Sequence, residues 1–194
     1  MILLKGILLI ASLTGYCCFI KAKTGIRKEF IPLAVFSSLS LLLFAGGLAD
    51  LLFVTAAAIY FVGLLLCFYT VYLIKKKKIS LGKPGLFEFC FLFTGAFFLI
   101  LSLFLKLQHY DNFSHWALVV KHMLTTDRYP AVQDSLISFK DYPPGISLFL
   151  YYVGRFWGNS QGILLAAQNL LLLSGFLAIF GIVREKKRFL VYSF

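Results

Sequence analysis

GISLFLYYVGRFWGNSQGILLAAQNLLLLSGFLAIFGIVREKKR, Gly145 to Arg188, decides how many times the chain crosses a membrane. Two apolar runs lie in it. The first, Gly145 to Trp157, is short of the roughly 20 residues a helix needs to cross hydrocarbon. The second, Ile163 to Val183, is long enough. The basic cluster Arg184-Glu185-Lys186-Lys187-Arg188 closes the stretch, and Lys and Arg are retained on the cytoplasmic side of membranes. If both runs crossed, this cluster would land opposite the other two basic clusters, at 21–28 and 75–83. If only the second crosses, all three share a side. The first run therefore reads as a helix at the outer membrane surface. Its Tyr151, Tyr152, Phe156 and Trp157 suit the interfacial aromatic belt.

Upstream, the same reasoning finds four more spans. Ile2 to Ile20 is apolar and ends in Cys17-Cys18-Phe19-Ile20, not in the small residues of a signal-peptide cleavage site. Phe30 to Leu48 follows the connector with Lys21, Lys23, Arg27 and Lys28, with Pro32 in the first turn, where a missing N–H costs little. Gly46-Gly47-Leu48-Ala49-Asp50 is a tight hairpin, and Leu51 to Ile74 returns to the Lys75-Lys76-Lys77-Lys78 stop. Leu86 to Leu107 is the fourth span, with Glu88 placed to reach the interface near its end. The predicted fold is all-α and polytopic: about five spans, an external N-terminus and an external loop with amphipathic surface helices. Its parts are a four-span region (1–107), the loop (108–161), and a fifth span followed by what reads as the start of a further one (162–194).

Composition agrees. The chain is 60% hydrophobic and only 14% charged, against about 25% for soluble domains. Its net charge of +11 is concentrated in those clusters, where 13 of the 19 basic residues stand between apolar runs. Such placement marks topology, and no nucleic-acid partner is expected. The four cysteines (Cys17, Cys18, Cys67, Cys90) lie in apolar runs without CxxC spacing and read as small packing residues. The spans carry almost no ionisable groups and few interruptions, which argues against a transporter.

The loop holds all three histidines, both tryptophans and four of the eight acidic residues. Asp111 follows the fourth span and so stands at the membrane–water boundary. From Asn112 to Leu124 the spacing is helical. Asp111, His115, Leu118 and His122 fall on one stripe; Trp116, Val119, Val120 and Met123 form an apolar stripe beside it. Asp111 near the N-terminus is favoured by the helix dipole. An ordinary amphipathic surface helix accounts for much of this. A metal held by Asp111, His115 and His122 would need a bend, because seven residues of helix rise about 10 Å. No Ser/His/Asp arrangement and no Gly-rich phosphate loop occurs. Asp141-Tyr142-Pro143-Pro144-Gly145 forms a rigid extended turn, since proline fixes its own φ and restricts its predecessor. It is either the entry to the surface helix or a ledge holding Asp141 and Tyr142 opposite Asp111.

An acidic residue just past a span, an amphipathic helix, a Pro-Pro turn, a short surface helix and another span together resemble the first external loop of GT-C glycosyltransferases. These polytopic enzymes use polyprenyl-phosphate sugars and include the protein mannosyltransferase and aminoarabinose transferase families. The matching residues are Tyr110-Asp111-Asn112-Phe113-Ser114-His115-Trp116 and Tyr142-Pro143-Pro144-Gly145, and the resemblance spans 108–188. The chain differs at Asn112, where the family has a second acid, at Tyr142, where it has a basic residue or His, and in the three spans before the one that opens the family's fold. The resemblance implies glycosyl transfer at the outer face. Asp111 is the implied general base, removing a proton from an acceptor hydroxyl. Lys121 or Arg155 would stabilise the departing lipid phosphate. His115, His122, Asp141 and Tyr142 would line the substrate site. The implied partners are the bilayer, a polyprenyl-phosphate sugar donor and a glycan or lipid acceptor. A divalent metal stays open as cofactor. The alternative is a non-enzymatic membrane protein, a transporter or a glycan-assembly subunit. The outer loop has no N-glycosylation acceptor clear of the membrane, as Asn112-Phe113-Ser114 lies close to it, so a bacterial plasma membrane is the expected location.

Overall fold

The structure is a computed structural model that describes residues 1–80, 85–108, 116–130, 137, 144–183, 187–188 and 192. These residues form seven helices and no strand. Five are long and apolar enough to cross a bilayer: α1 (Ile2–Lys23), α2 (Ile31–Leu48), α3 (Leu52–Lys75), α4 (Leu86–Leu103) and α7 (Gln161–Ile182). A helix satisfies its own backbone polar groups, as hydrocarbon requires, and these five are apolar on every side. The chain is an integral membrane protein. Two shorter helices, α5 (Ala117–Thr126) and α6 (Gly145–Phe156), lie between α4 and α7 in sequence.

Lipid tails give apolar helices little hydrophobic reason to associate, so close backbone approach and interhelical hydrogen bonds must hold the bundle. The pairing of α1 with α3 is the most extensive in the fold and shows both. A Cβ on Gly15 would stand 2.1 Å from the Gly63 carbonyl oxygen, and one on Gly63 would meet Ser12 Oγ at 2.2 Å. Ser12 Oγ donates to the Tyr60 carbonyl at 2.9 Å, and the Tyr16 hydroxyl to that of Ile59 at 2.8 Å. A tight turn joins α2 to α3. The Leu51 N–H reaches the Gly46 carbonyl at 2.8 Å, and Asp50 takes a left-handed φ of 58°. Helix α4 packs chiefly on α7, through Phe87, Phe91 and Phe180 and a hydrogen bond from the Asn169 amide to Ser102.

Helix α6, of 12 residues, is too short to cross hydrocarbon. Its first turn, at Ile146 and Ser147, shares a cavity with Leu107 and Leu164, and near its other end Gly154 touches Leu164 again. Both ends therefore stay level with the start of α7. The sequence suggests aromatic residues facing an interface, whereas Tyr151 and Tyr152 are 0% exposed and Leu148, Phe149 and Val153 nearly so. The apolar face of α6 is covered by α1, α2, α5 and α7 rather than by lipid. Phe149 meets Phe36 at 5.0 Å between ring centres, and Phe156 stacks on Tyr60 at 4.2 Å. The Tyr152 hydroxyl lies 3.3 Å from Ser12 Oγ, inside the α1–α3 seam.

The bundle thus has two unlike ends. One carries α5, α6, the α2–α3 turn and the start of α1, where Trp157 fills the space beside Gly6. The other gathers Lys21, Lys23, Arg27, Lys28, the 75–78 lysines and Arg188. There, Lys28 Nζ lies 2.6 Å from Glu88 Oε1, and Arg188 Nη2 lies 2.7 Å from Glu29 Oε1. Arg188 and Glu29 are both buried. That Arg188 contact is one of charge, off the direction of the N–H bonds. The Gly85 N–H donates to Glu88 Oε2 at 2.8 Å, so Glu88 also caps α4.

Candidate functional site

Of the residues singled out from the sequence, Lys121, His122 and Arg155 fall within the described structure. Asp111, His115, Asp141 and Tyr142 lie outside the described residues. Lys121 and His122 are on α5, whose apolar stripe of Val119, Val120 and Met123 is buried against the bundle. That burial aims Lys121 outward and leaves His122 half-buried at the flank. Among the described residues no group of three His, Cys, Asp or Glu side chains stands together as a metal site.

Arg155 has a different setting from the one its sequence position suggests. Its Nη2 lies 2.9 Å from Asp127 Oδ2, and its guanidinium covers the Phe53 ring at 4.7 Å from the centre. The other Asp127 oxygen accepts from the Tyr151 hydroxyl at 2.6 Å. Asp127 ends α5 in the left-handed conformation, φ 54°, which places its carboxylate over α6. Burial, then the hydrogen bond to Asp127, raises the Tyr151 phenol well above its ordinary range. Asp127, Tyr151 and Arg155 clamp α5 onto α6, and the charge of Arg155 is already balanced.

Sequence reading missed Asp127 and Tyr151. A lone arginine in an otherwise uncharged helix at a membrane edge calls for a counter-ion. Four loop aspartates compete for that place, and spacing does not choose among them.

A second brace fixes the residues after α5. The Tyr129 hydroxyl donates to the Phe44 carbonyl at 2.9 Å, its ring occupies the space a Cβ on Gly47 would need, and Arg128 Nε lies 3.6 Å from Asp50. Burial pushes the Tyr129 pKa up to about 12.

Between α5, α6 and the start of α7 lies a cavity of about 170 Å³. Leu107, Trp116, Val120, Ile146, Leu164 and Gln168 are among its walls. Leu107 is two positions before the segment 109–115 and Trp116 directly follows it, and Ile146 stands just past the Pro143-Pro144 pair. The Gln161 side chain accepts from the Leu107 N–H at 3.0 Å, fixing the end of the fourth span to the head of the fifth. No protein-family model, no curated protein and no solved structure matches the chain.

Proposed function

We propose that the chain is a GT-C-like membrane glycosyltransferase, moving a sugar from a polyprenyl-phosphate donor to a glycan or lipid acceptor in envelope assembly. In this reading the end with the three basic clusters is cytoplasmic, the α5–α6 end is external, and the membrane is a bacterial plasma membrane. One observation carries most of the weight. Leu107 and Trp116, four positions before and five after Asp111, and Ile146, five positions after Asp141, line a single cavity at the α5–α6 end. A cavity whose walls stand within five positions of both acids in the chain suits a reaction between a lipid-anchored donor and a water-borne or lipid acceptor.

The chemistry assigned to the site is direct. Asp111 takes the proton of the acceptor hydroxyl as its oxygen bonds to the anomeric carbon. The bond from that carbon to the lipid phosphate breaks, and the phosphate leaves with the electron pair. A cation must stabilise it. Lys121 is the better donor of that charge, because Arg155 is held by Asp127. His115, His122, Asp141 and Tyr142 remain the proposed contacts to sugar and acceptor. A divalent cation would serve the same electrostatic purpose as Lys121.

The test is Asp111→Asn in the full-length protein, in membranes supplied with a polyprenyl-phosphate sugar. Transfer is expected to fall at least a hundredfold, the lower range for loss of a general base, with membrane insertion unchanged. Full activity in that variant would remove Asp111 from the chemistry and favour a non-enzymatic assembly subunit.

A further inference from the structure

Helix α4 leans on α7 and stands apart from α1, and an apolar crevice of about 360 Å³ separates them. Leu13, Thr14 and Cys17 of α1, Phe36 of α2, Ala96 of α4 and Leu173 of α7 are on its walls. It is lined by α1 from Ile10 to Cys17 and by Pro32 and Phe36 near the start of α2, while on α4 and α7 it reaches Leu99 and Leu170, so it extends from the middle of the bundle toward the basic end. The lining stripe of α1 runs Ile10, Leu13, Thr14, Cys17, and the next residue on that face, four further on, is Lys21. Of the neighbouring cations, Lys28 pairs with Glu88 and Arg27 with Glu29, whereas Lys23 is exposed. Lys21 is half-buried and has no acidic side chain in ion-pair range among the described residues.

We propose that the crevice and Lys21 together hold one anionic phospholipid, its acyl chain between α1 and α4 and its phosphate against the Lys21 ammonium. Chemistry selects the occupant: the walls are apolar nearly throughout, as a hydrocarbon chain requires, and the one cation on the lining stripe of α1 suits an anionic headgroup. A chain that moves from bilayer to crevice stays in an apolar medium, so hydrophobic transfer favours neither place. It gains closer packing on several sides. Selectivity among lipids then comes from the headgroup and its cation. Lys21 stands at the end of the bundle away from the loop cavity, and the site does not depend on the activity proposed there.

The full chain is extracted with the lipids of a bilayer of equal parts phosphatidylglycerol and phosphatidylcholine, and retained lipid is weighed by native mass spectrometry. One phosphatidylglycerol is expected per chain, favoured about fivefold over phosphatidylcholine, the factor due to one basic residue at a headgroup. Lys21→Gln is expected to bring the two lipids near parity. Ala96→Trp, a change at an exposed position on the crevice wall, is expected to remove retention of both. Inorganic phosphate in excess should displace nothing. Equal retention of the two lipids by the unaltered chain, or undiminished retention by Ala96→Trp, would overturn the site. Displacement by inorganic phosphate would assign Lys21 to a free anion and overturn it as well.

Discussion

Asp127 touches two side chains of α6 from the position that caps α5, and both contacts belong to the carboxylate. Asp127→Asn keeps the shape but removes the charge that balances Arg155, leaving a guanidinium over an apolar ring. Partial exposure of both groups, about 30% each, moderates the loss. A destabilisation of about 1–2 kcal/mol is expected, read as a lower thermal midpoint in detergent. Arg155→Lys should lose a similar amount, since a lysine lacks the planar group that both pairs and covers Phe53. Tyr129 makes a pH-dependent prediction. Its pKa in the fold is about 12 against 10 for an exposed tyrosine, so its contribution is complete below pH 10. Above that, the unfolded chain gives up its proton first, and the contribution is lost as pH rises from 10 to 12. Tyr129→Phe should therefore show a flatter fall in stability than the unaltered chain across that interval, in parallel alkaline unfolding curves. Arg155 shows what sequence can and cannot say at this scale. Its type and its place at the membrane edge were legible. Its partner, 28 positions away and aimed by one left-handed residue, was not.

Among the elements, the long helices were readable to within a few residues because hydrocarbon thickness sets their length. The fourth is the exception. The apolar run continues to Leu107, but α4 ends at Leu103, where the Gly162 backbone presses against the Leu103 carbonyl. Which helices pair was less readable, because all five are apolar on every side and no face stands out. Small residues carry that information, and only in pairs: Gly15 means little without Gly63. Gly63→Leu is expected to force α1 and α3 apart and to cost about 1–3 kcal/mol, measured as reduced resistance to unfolding in a denaturing detergent. Helix α6 was recognised as amphipathic and as too short to span. What covers its apolar face was not, since Tyr151 and Tyr152 suit a lipid headgroup zone and a protein interior equally well.

For the whole molecule, the shared end of the basic clusters is the feature the sequence made clearest, because charge placement alone selects it. Single cysteines in a background free of Cys17, Cys18, Cys67 and Cys90 test it in intact membranes. A probe at Ser160 should react from the side opposite one at Ser80, and external reagent should reach Ser160 alone. Labelling of both from one side would place a sixth crossing in the chain and remove the shared end. The loop cavity was harder to foresee than the spans. It depends on where α5 and α6 come to rest against α7, which the Asp127 clamp and the Tyr129 brace decide.

The meeting of Arg188 with Glu29 and Glu88 also has a bearing on biogenesis. Membrane helices are delivered in chain order, so the two acids are made long before the arginine that completes their cluster. Until then, among the described residues, Glu29 pairs with Arg27, at 3.7 Å, and Glu88 with Lys28. Arrival of Arg188 joins the first connector, the fourth span and the segment after the fifth in a single contact set. Breaking a buried pair of this kind costs about 3–5 kcal/mol. The cluster is in effect a latch that closes only after the fifth span is made, and a chain short of that point is recognisable by its uncovered acids.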